Sequence, residues 1–350
     1  MKTLKKLIAA ILALIVALCA STGAYALSVE GGIEPIKGLF EAGEGPVTNG
    51  YSVDYSYFSP VGENDATKYP LVVWLHGMGD GSEPGAPVKK SNIAYWASDE
   101  FQARFKPAGG AFILAARSRE EDNIFWSNEM IEPLRAAIDE FIAKNKDNID
   151  LSRIYVGGYS MGGKMTLKMA VAYPEMFAAA FPICPAWSPS DELCAKLADM
   201  PVWITSSRRD PLVNYYLAVS PTFDRIASSS NVAEDCRLST LTKVCYEDGT
   251  ATSSSHHAWF AVNHDMFTYL NGDYYNMTTV NGKGEKVTLT YPDGMISWLS
   301  SHTSDYDGAP LEGKGNLEHE SQTDNLVYCD SFLGFFELLF NAVLKLFRIK

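Results

Sequence analysis

The pentapeptide G-Y-S-M-G at residues 158–162 most constrains how this chain folds. Residues 153–157 before it are apolar and prone to form a strand, and residues 163–170 after it are typical of a helix. A serine at a sharp strand-to-helix turn has its hydroxyl lifted above the sheet edge, and the flanking glycines avoid Cβ clashes. We therefore expect Ser160 to be a nucleophile. The alternative is an ordinary glycine-rich turn.

The helix that follows this serine predicts part of an oxyanion site. Backbone N–H groups at a helix N-terminus point at a negative charge, and the N–H of Met161 is the first of them. A carboxylate and a histidine are then expected further along the chain, in that order.

The carboxylate is predicted to be Asp210. Residues 200–207 read as a buried strand, and Asp210 lies on the loop that leaves it. A carboxylate there can hold an imidazole in the useful tautomer. The alternative role for Asp210 is that of a turn residue before proline. Asp191 and Asp224 are weaker candidates, because neither directly follows a clear strand.

The sequence alone offers three candidates for the histidine. His256 and His257 follow a predicted strand at 243–247 and a polar loop, where a histidine of such a triad is expected. His264 is the third candidate, with a solvated loop position or a supporting contact as its alternative roles.

Strands and helices alternate along the chain, which predicts an α/β fold with a mostly parallel sheet flanked by helices on both faces. Turn signals around 272 and 282 predict a small β-hairpin insertion at 274–290. The other predicted strands are 51–58, 71–75, 111–115, 177–183 and 202–205, and the predicted helices include 129–144 and 295–301.

Two segments resemble a known superfamily. Residues 69–79, Y-P-L-V-V-W-L-H-G-M-G, look like the strand and oxyanion loop of α/β-hydrolases. Residues 153–163, R-I-Y-V-G-G-Y-S-M-G-G, are similar to the nucleophile segment of secreted esterases of the feruloyl esterase, acetylxylan esterase and polyhydroxyalkanoate depolymerase type. The resemblance covers roughly residues 50–300. It implies a serine carboxylesterase with an ester substrate and no metal or organic cofactor.

The resemblance also assigns site residues. In that group the histidine often stands three residues before a tryptophan, which favours His256, three residues before Trp259. Ser255 departs from the group, where a glycine usually precedes the histidine. The loop with Gly77 and Met78 would supply the second oxyanion donor.

Three tryptophans follow predicted strand ends or the histidine and are expected to form an aromatic platform for substrate. They are Trp126, Trp187 and Trp259. The alternative is that each is a partly buried core residue.

Composition excludes other classes of protein. The formal net charge is −13, and the positively charged phosphate-binding surface of a nucleic-acid-binding protein is not expected in so acidic a chain. Neither zinc-like Cys/His spacing nor a glycine-rich phosphate loop is present.

The two ends of the chain differ from the middle. Residues 1–26 have a lysine-rich start, an apolar run and an A-x-A site, which predicts a secretory signal peptide and an extracytoplasmic protein; an uncleaved anchor is the alternative. Residues 27–302 would be the catalytic domain and 303–331 a polar linker. Residues 332–350 predict an amphipathic helix that lies on a membrane surface or docks on protein.

Export would permit disulfides, and the region after 26 has five cysteines. Pairing of Cys184 with Cys194 and of Cys236 with Cys245 is one prediction, and free buried thiols are the other; Cys329 would remain unpaired.

Two rival functions share this fold. A serine peptidase of the prolyl-oligopeptidase type usually carries a large gating domain, which the short stretch between residue 26 and the first strand cannot supply. A non-catalytic binding protein of hydrolase fold would not need serine, acid and histidine in order.

Overall fold

A computed structural model describes residues 34–122, 125–246, 250–267, 277–290, 294–311 and 317. Its described strands form one nine-stranded sheet. They are β1 (Glu41–Glu44), β2 (Asp54–Phe58), β3 (Tyr69–Leu75), β4 (Phe112–Arg117), β5 (Ile149–Tyr159), β6 (Ala179–Ile183), β7 (Trp203–Ser207), β8 (Arg237–Leu241) and β9 (Met277–Asn281).

Helices connect most of these strands. They are α1 (Glu34–Lys37), α2 (Ala86–Lys90), α3 (Asp99–Gln102), α4 (Ile131–Lys144), α5 (Met161–Ala172), α6 (Asp191–Ala195), α7 (Ser220–Ser229), α8 (Trp259–Asn263) and α9 (Met295–Ser300). Short 3₁₀ turns occupy Ile93–Ala97, Glu120–Asp122 and Asn128–Met130, and a π-helical turn occupies Tyr215–Val219.

The sheet is mixed and mostly parallel, with the order β1-β2-β4-β3-β5-β6-β7-β8-β9. The strands from β4 to β8 pair in parallel, whereas β1, β2 and β9 add antiparallel edges. Because parallel strands end at the same edge, the loops after β3, β5, β6 and β7 meet above the middle of the sheet. The predicted α/β architecture is confirmed.

Both faces of the sheet are buried, as a parallel sheet requires. All seven residues of β3 are buried, and its side chains alternate between two apolar clusters. Leu71 and Val73 pack on one face with α4 and α5, whereas Val72 and Trp74 pack on the other with α8 and α9. The regular alternation of a strand therefore places one apolar segment at the centre of two cores.

Two predictions near the C-terminal half of the sheet need correction. The predicted strand 243–247 is absent from its described part, 243–246, where Cys245 forms only an isolated bridge with Ala251. The strand of this region is β8, whose central Ser239 hydroxyl accepts a hydrogen bond from Trp203 Nε1 and contacts Thr279 Oγ1. Its polar residues Ser239 and Thr240 are buried because their hydroxyls bond to side chains of other segments, so hydrophobic patterning does not reveal them.

The predicted hairpin contributes to the main sheet. Strand β9 pairs antiparallel with β8, and the chain turns back through a bridge between Val280 and Lys286. Residues 268–276 lie outside the described part of the chain.

The beginning of the predicted linker packs on the catalytic domain. The backbone N–H of Ser304 donates to Ser152 O at 2.8 Å, and Tyr306 and Leu311 pack against the core. Leu317 is buried in the same cluster. The domain therefore extends beyond residue 302. The predicted signal peptide and the predicted C-terminal helix lie outside the described residues.

Two further findings concern the described residues alone. Among their helices, none combines the length and apolar character needed to cross a bilayer. Cys184, Cys194, Cys236 and Cys245 are buried and are not joined by disulfides, so the two local pairings do not form and the alternative of buried thiols is confirmed.

Glycines allow helix α5 to approach the sheet closely. A Cβ on Gly162 would lie 2.1 Å from Leu75 O and 2.5 Å from His76 O, which are backbone atoms that cannot rotate away. A Cβ on Gly158 would lie 2.3 Å from Leu75 O. The turn into α5 is thus sterically fixed against β3.

We predict that Gly162→Ala lowers the free energy of unfolding by about 1–3 kcal/mol or more, because the helix must move away from β3. The matched control is Gly62→Ala, where a Cβ would meet nothing within 4 Å. Urea denaturation of both variants measures the difference. Equal stability of the two variants would contradict the close approach.

Candidate active site

Ser160 lies at the turn between β5 and α5, with the backbone conformation φ 57° and ψ −116°. A positive φ is uncommon for a residue with a side chain and marks a strained turn. The turn is held because Ser160 N–H donates to Ile183 O and Lys164 N–H donates to Ser160 O, both at 2.9 Å. Ser160 is partly exposed.

Met161 begins helix α5, so its N–H has no acceptor within the helix. That N–H is next to Ser160 in the chain. It can therefore donate to an oxyanion that forms on a carbonyl bound at the serine.

The structure brings Asp210 and His256 into direct contact. His256 Nδ1 lies 2.8 Å from Asp210 Oδ2 and 3.0 Å from Oδ1. Asp210 Oδ1 also accepts the N–H groups of Leu212 and Val213, at 2.8 and 2.9 Å. The carboxylate is therefore fixed in its loop. Because it accepts a hydrogen bond from Nδ1–H, the proton stays on Nδ1 and Nε2 of His256 is the basic nitrogen.

Burial opposes protonation of His256, but its polar neighbours outweigh burial and hold its pKa well above the ordinary value. These neighbours are Cys184 and Asp210. Burial raises the pKa of the Cys184 thiol, which is therefore uncharged near neutral pH. We assign the raised pKa of His256 to the Asp210 carboxylate in hydrogen-bond contact.

The two other candidate histidines do not share this contact. Burial and the neighbouring His256 lower the pKa of the partly exposed His257 to about 4, and its ring lies 6.0 Å from that of Trp259. His264 is buried, stacks on Phe260 at 4.0 Å and contacts Asn92 through Nε2 at 3.3 Å. Burial lowers its pKa to about 3. Its contacts are those of a core residue.

The predicted oxyanion loop follows β3 and is shaped by the buried imidazole of His76. Nδ1 of His76 lies 2.7 Å from Gly77 O, and Nε2 accepts the backbone N–H of Ser118 at 3.1 Å. The second bond fixes the tautomer, with the proton on Nδ1 donated to Gly77 O. Burial lowers the pKa of His76 to about 4, so it stays neutral. His76 thus holds the loop that carries Gly77 and Met78.

Further bonds that the sequence did not reveal hold the same loop. Gly79 N–H donates to Glu120 Oε1 at 2.7 Å, and Gly79 O accepts from Lys90 Nζ at 2.5 Å. The hydroxyl of Tyr159, the residue before the serine, donates to Asp80. The sequence signal was that Tyr159 lies inside one motif and Asp80 directly follows the other; their contact depends on the fold.

The predicted aromatic platform is wrong for two of its three members. Trp126 and Trp187 are 1% and 0% exposed. Trp126 Nε1 donates to His76 O at 3.1 Å, so this ring helps to hold the oxyanion loop. Trp187 is enclosed by the apolar core and Lys168. Only Trp259, which is partly exposed, remains available to a substrate.

Cys184 adds a thiol to the acid–histidine pair. Its Sγ donates to the backbone O of His256 at 3.5 Å. Donor atoms of Cys184, Asp210 and His256 all lie within 4.8 Å of one another, a grouping of types that can ligate a metal. Because Asp210 and His256 already bond directly, the geometry fits an acid–imidazole pair backed by a neutral thiol.

Comparison with protein families agrees with this chemistry. Residues 113–246 match the sequence model of the phospholipase/carboxylesterase family. This segment includes Ser160 and Asp210, whereas His256 lies after it. The matched segment is less than half of the chain, and it is similar to carboxylic ester hydrolases. No curated protein matches the chain in sequence.

Solved structures resemble this chain to different degrees. A thermostable esterase is 25% identical over 77% of this chain, with a TM-score of 0.57, and the chain spans 64% of that esterase. An acylaminoacyl peptidase with a bound chloromethyl ketone is 15% identical, with 67% and 41% coverage and a TM-score of 0.47. Est1E from Butyrivibrio proteoclasticus is 17% identical, with 57% and 87% coverage and a TM-score of 0.41.

We predict that NMR titration of the histidines separates His256, with a pKa above the ordinary value, from His257, with a pKa near 4. Replacement Asp210→Asn should lower the pKa of His256, because the carboxylate that stabilises the imidazolium is gone. The control is Asp191→Asn, a carboxylate that is 85% exposed. A His256 titration unaffected by Asp210→Asn would contradict the assigned pair.

Proposed function

We propose that this chain, a member of the α/β-hydrolase superfamily with a central segment of the phospholipase/carboxylesterase family, is an exported serine carboxylesterase. The observation that carries the proposal is the contact of His256 Nδ1 with both carboxylate oxygens of Asp210. His256 O accepts from Cys184 Sγ, and the preceding Ile183 O accepts the N–H of Ser160, so the pair and the serine turn share one strand end. A nucleophile, a base and an orienting acid are the parts that covalent ester hydrolysis requires.

In the first half of the reaction, Ser160 Oγ attacks the ester carbonyl while His256 Nε2 takes its proton. The carbonyl oxygen becomes an oxyanion, held by the N–H of Met161 and by the loop with Gly77 and Met78. The imidazolium, stabilised by Asp210, then protonates the alcohol as the ester bond breaks. The serine is left as an acyl ester.

In the second half, water attacks the acyl-serine. His256 takes the proton of the water and returns a proton to Ser160, which releases the acid. His256 must be neutral to act as the base. Because Asp210 raises its pKa, the rate should increase with pH until His256 is deprotonated.

Exposed apolar side chains near the site support an ester with an apolar acyl or alcohol group. Met78 on the oxyanion loop is 63% exposed. Leu212, Tyr216 and Leu217, which follow Asp210, are 38%, 64% and 66% exposed. Together with the resemblance to feruloyl and acetylxylan esterases and polyester depolymerases, these residues favour acyl esters of plant polysaccharides or polyesters as substrates.

Export and a membrane contact are further parts of the proposal. Residues 1–26 have the composition of a secretory signal. Residues 332–350 are apolar with a narrow polar stripe and carry Lys345, Arg348 and Lys350 near their end. Such a segment suits an in-plane helix on an anionic lipid surface.

The test of the nucleophile is Ser160→Ala, assayed with short-chain p-nitrophenyl esters. We expect turnover to fall by roughly 10⁴ to 10⁶. Ser152→Ala, on the same strand, is the control and should keep normal activity. A fluorophosphonate should label the wild type and Ser152→Ala but not Ser160→Ala.

Retention of more than about a tenth of turnover by Ser160→Ala would exclude it as nucleophile. An unlabelled, inactive wild type would favour the binding protein, and preference for peptide amides would favour the peptidase. His256→Ala should be far more damaging than His257→Ala or His264→Ala, since only His256 contacts Asp210.

A separate prediction concerns the C-terminal segment. A truncated protein that ends at Asn325 retains the buried Leu317 and should hydrolyse soluble esters normally. It should no longer bind anionic phosphatidylserine vesicles, because the apolar and cationic segment is gone. In the full chain, Lys345→Glu with Arg348→Glu should weaken vesicle binding without changing turnover.

Vesicle co-sedimentation and ester kinetics measure these two properties. A truncated protein that aggregates or loses activity on soluble esters would show that residues 332–350 pack on the hydrolase domain.

A further inference from the structure

Tyr159 and Asp80 are two enclosed polar residues that the proposed reaction does not use. Tyr159 is the last residue of β5 and directly precedes Ser160, and Asp80 belongs to the oxyanion loop after β3. The Tyr159 hydroxyl donates to Asp80 Oδ2. This hydrogen bond connects the segment that carries the nucleophile to the loop that carries the second oxyanion donor.

The Tyr159 ring also packs directly against that loop. A Cβ on Gly77 would lie 2.6 Å from the ring and 2.9 Å from its hydroxyl, so the backbone of Gly77 rests on the ring. The centroid of the same ring lies 6.4 Å from the centroid of the His256 imidazole and 6.0 Å from that of the Trp259 ring. One side chain therefore contacts both the oxyanion loop and the histidine loop.

The remaining supports of the loop act on other atoms. Glu120 and Lys90 bond to the backbone of Gly79, and Lys90 also bonds to Ser82. His76 bonds to the O of Gly77. The Asp80–Tyr159 hydrogen bond joins the end of the loop, at residue 80, to strand β5, which leads to Ser160.

Asp80 is surrounded by ionisable groups from several elements: Tyr159 of β5, Lys90 of α2, Glu120 of the loop after β4, and His256. Enclosure of the carboxyl is the largest effect and raises the pKa of Asp80 to about 7. Burial raises the pKa of Tyr159 well above its ordinary value, so the phenol keeps its proton and remains the donor.

We infer that Tyr159 and Asp80 are a pair of positioning residues that holds the oxyanion loop in register with Ser160. The inference rests on the proposed function. When the hydrogen bond is present, the N–H groups of Gly77 and Met78 stay at the distance that an oxyanion on the bound carbonyl requires. In this role the pair acts on the transition state through the loop.

A positioning role predicts a loss in kcat rather than in substrate affinity. Displacement of a reacting group by about 1 Å can cost roughly 100-fold in rate. Complete removal of one oxyanion donor costs about 100- to 1,000-fold. Loss of the Tyr159–Asp80 hydrogen bond displaces an oxyanion donor without removing it, so we expect kcat to fall about 10- to 100-fold.

The ionisation of Asp80 adds a pH signature. A carboxylate beside the oxyanion loop opposes the negative charge of the transition state, so ionisation of Asp80 above pH about 7 should offset part of the increase in turnover that deprotonation of His256 gives. The variant Asp80→Asn retains an acceptor for Tyr159 but cannot ionise. This variant should lose less turnover than Asp80→Ala, and above pH 7 its turnover should increase more steeply with pH than that of the wild type.

The experiment is a double-mutant cycle on the full chain with a short-chain p-nitrophenyl ester, using Tyr159→Phe, Asp80→Ala and the double variant. Rates are normalised to the fraction of protein labelled by a fluorophosphonate, which corrects for unfolded protein. Each single variant should lower kcat about 10- to 100-fold with KM within about threefold, and the double variant should be no worse than the poorer single one.

The matched control is Tyr155→Phe. Tyr155 is a buried tyrosine of the same strand whose hydroxyl donates to His302 O at 3.1 Å, away from the site. Its loss should reduce stability and leave kcat unchanged. Tyr159→Phe with the kcat of Tyr155→Phe would overturn the inference. The inference would also be overturned if the losses of the two single variants multiplied in the double variant. It would be overturned too if the pH profiles of the wild type and Asp80→Asn coincided from pH 6 to 9. A wild type without esterase activity would instead contradict the proposed function.

Discussion

The close approach of helix α5 to the end of strand β3 is the constraint on which the rest of the site depends. Gly158 and Gly162 bring two backbone segments to a distance that no Cβ would allow, and the residue between them, Ser160, takes a positive φ. The strain of this turn is offset by the buried sheet around it, where β3 packs on both faces. The fold thereby holds a hydroxyl and a helix N-terminus at one point.

Near Ser160, a neutral histidine holds the oxyanion loop in place, and a histidine paired with a carboxylate is placed to transfer protons. His76 stays neutral because it is buried, so it can donate to Gly77 O and accept from Ser118 N–H at once. His256 differs because it faces a carboxylate, which raises its pKa despite burial. Two buried imidazoles thus differ in protonation because burial dominates at His76, whereas the carboxylate in hydrogen-bond contact outweighs burial at His256.

Sequence patterning predicted the fold class. It also singled out Ser160 and Asp210 as candidate site residues, because both follow strands that hydrophobic runs reveal. It failed where burial depends on partners from distant segments. Strand β8 was overlooked because its buried Ser239 is satisfied by Trp203 and Thr279. Trp126 was predicted to meet substrate, yet its indole N–H supports the oxyanion loop. The Tyr159–Asp80 bond joins residues 79 positions apart, which spacing cannot indicate.

The most direct measurement of the central claim is a crystal structure of the protein after reaction with a small fluorophosphonate, whose phosphoryl group mimics the tetrahedral intermediate. The account predicts a covalent bond from phosphorus to Ser160 Oγ. It also predicts the phosphoryl oxygen within about 3 Å of the N–H of Met161 and of an N–H of the loop that carries Gly77 and Met78, with His256 Nε2 facing the adduct. An adduct on another residue, or a phosphoryl oxygen turned away from both N–H groups, would contradict it.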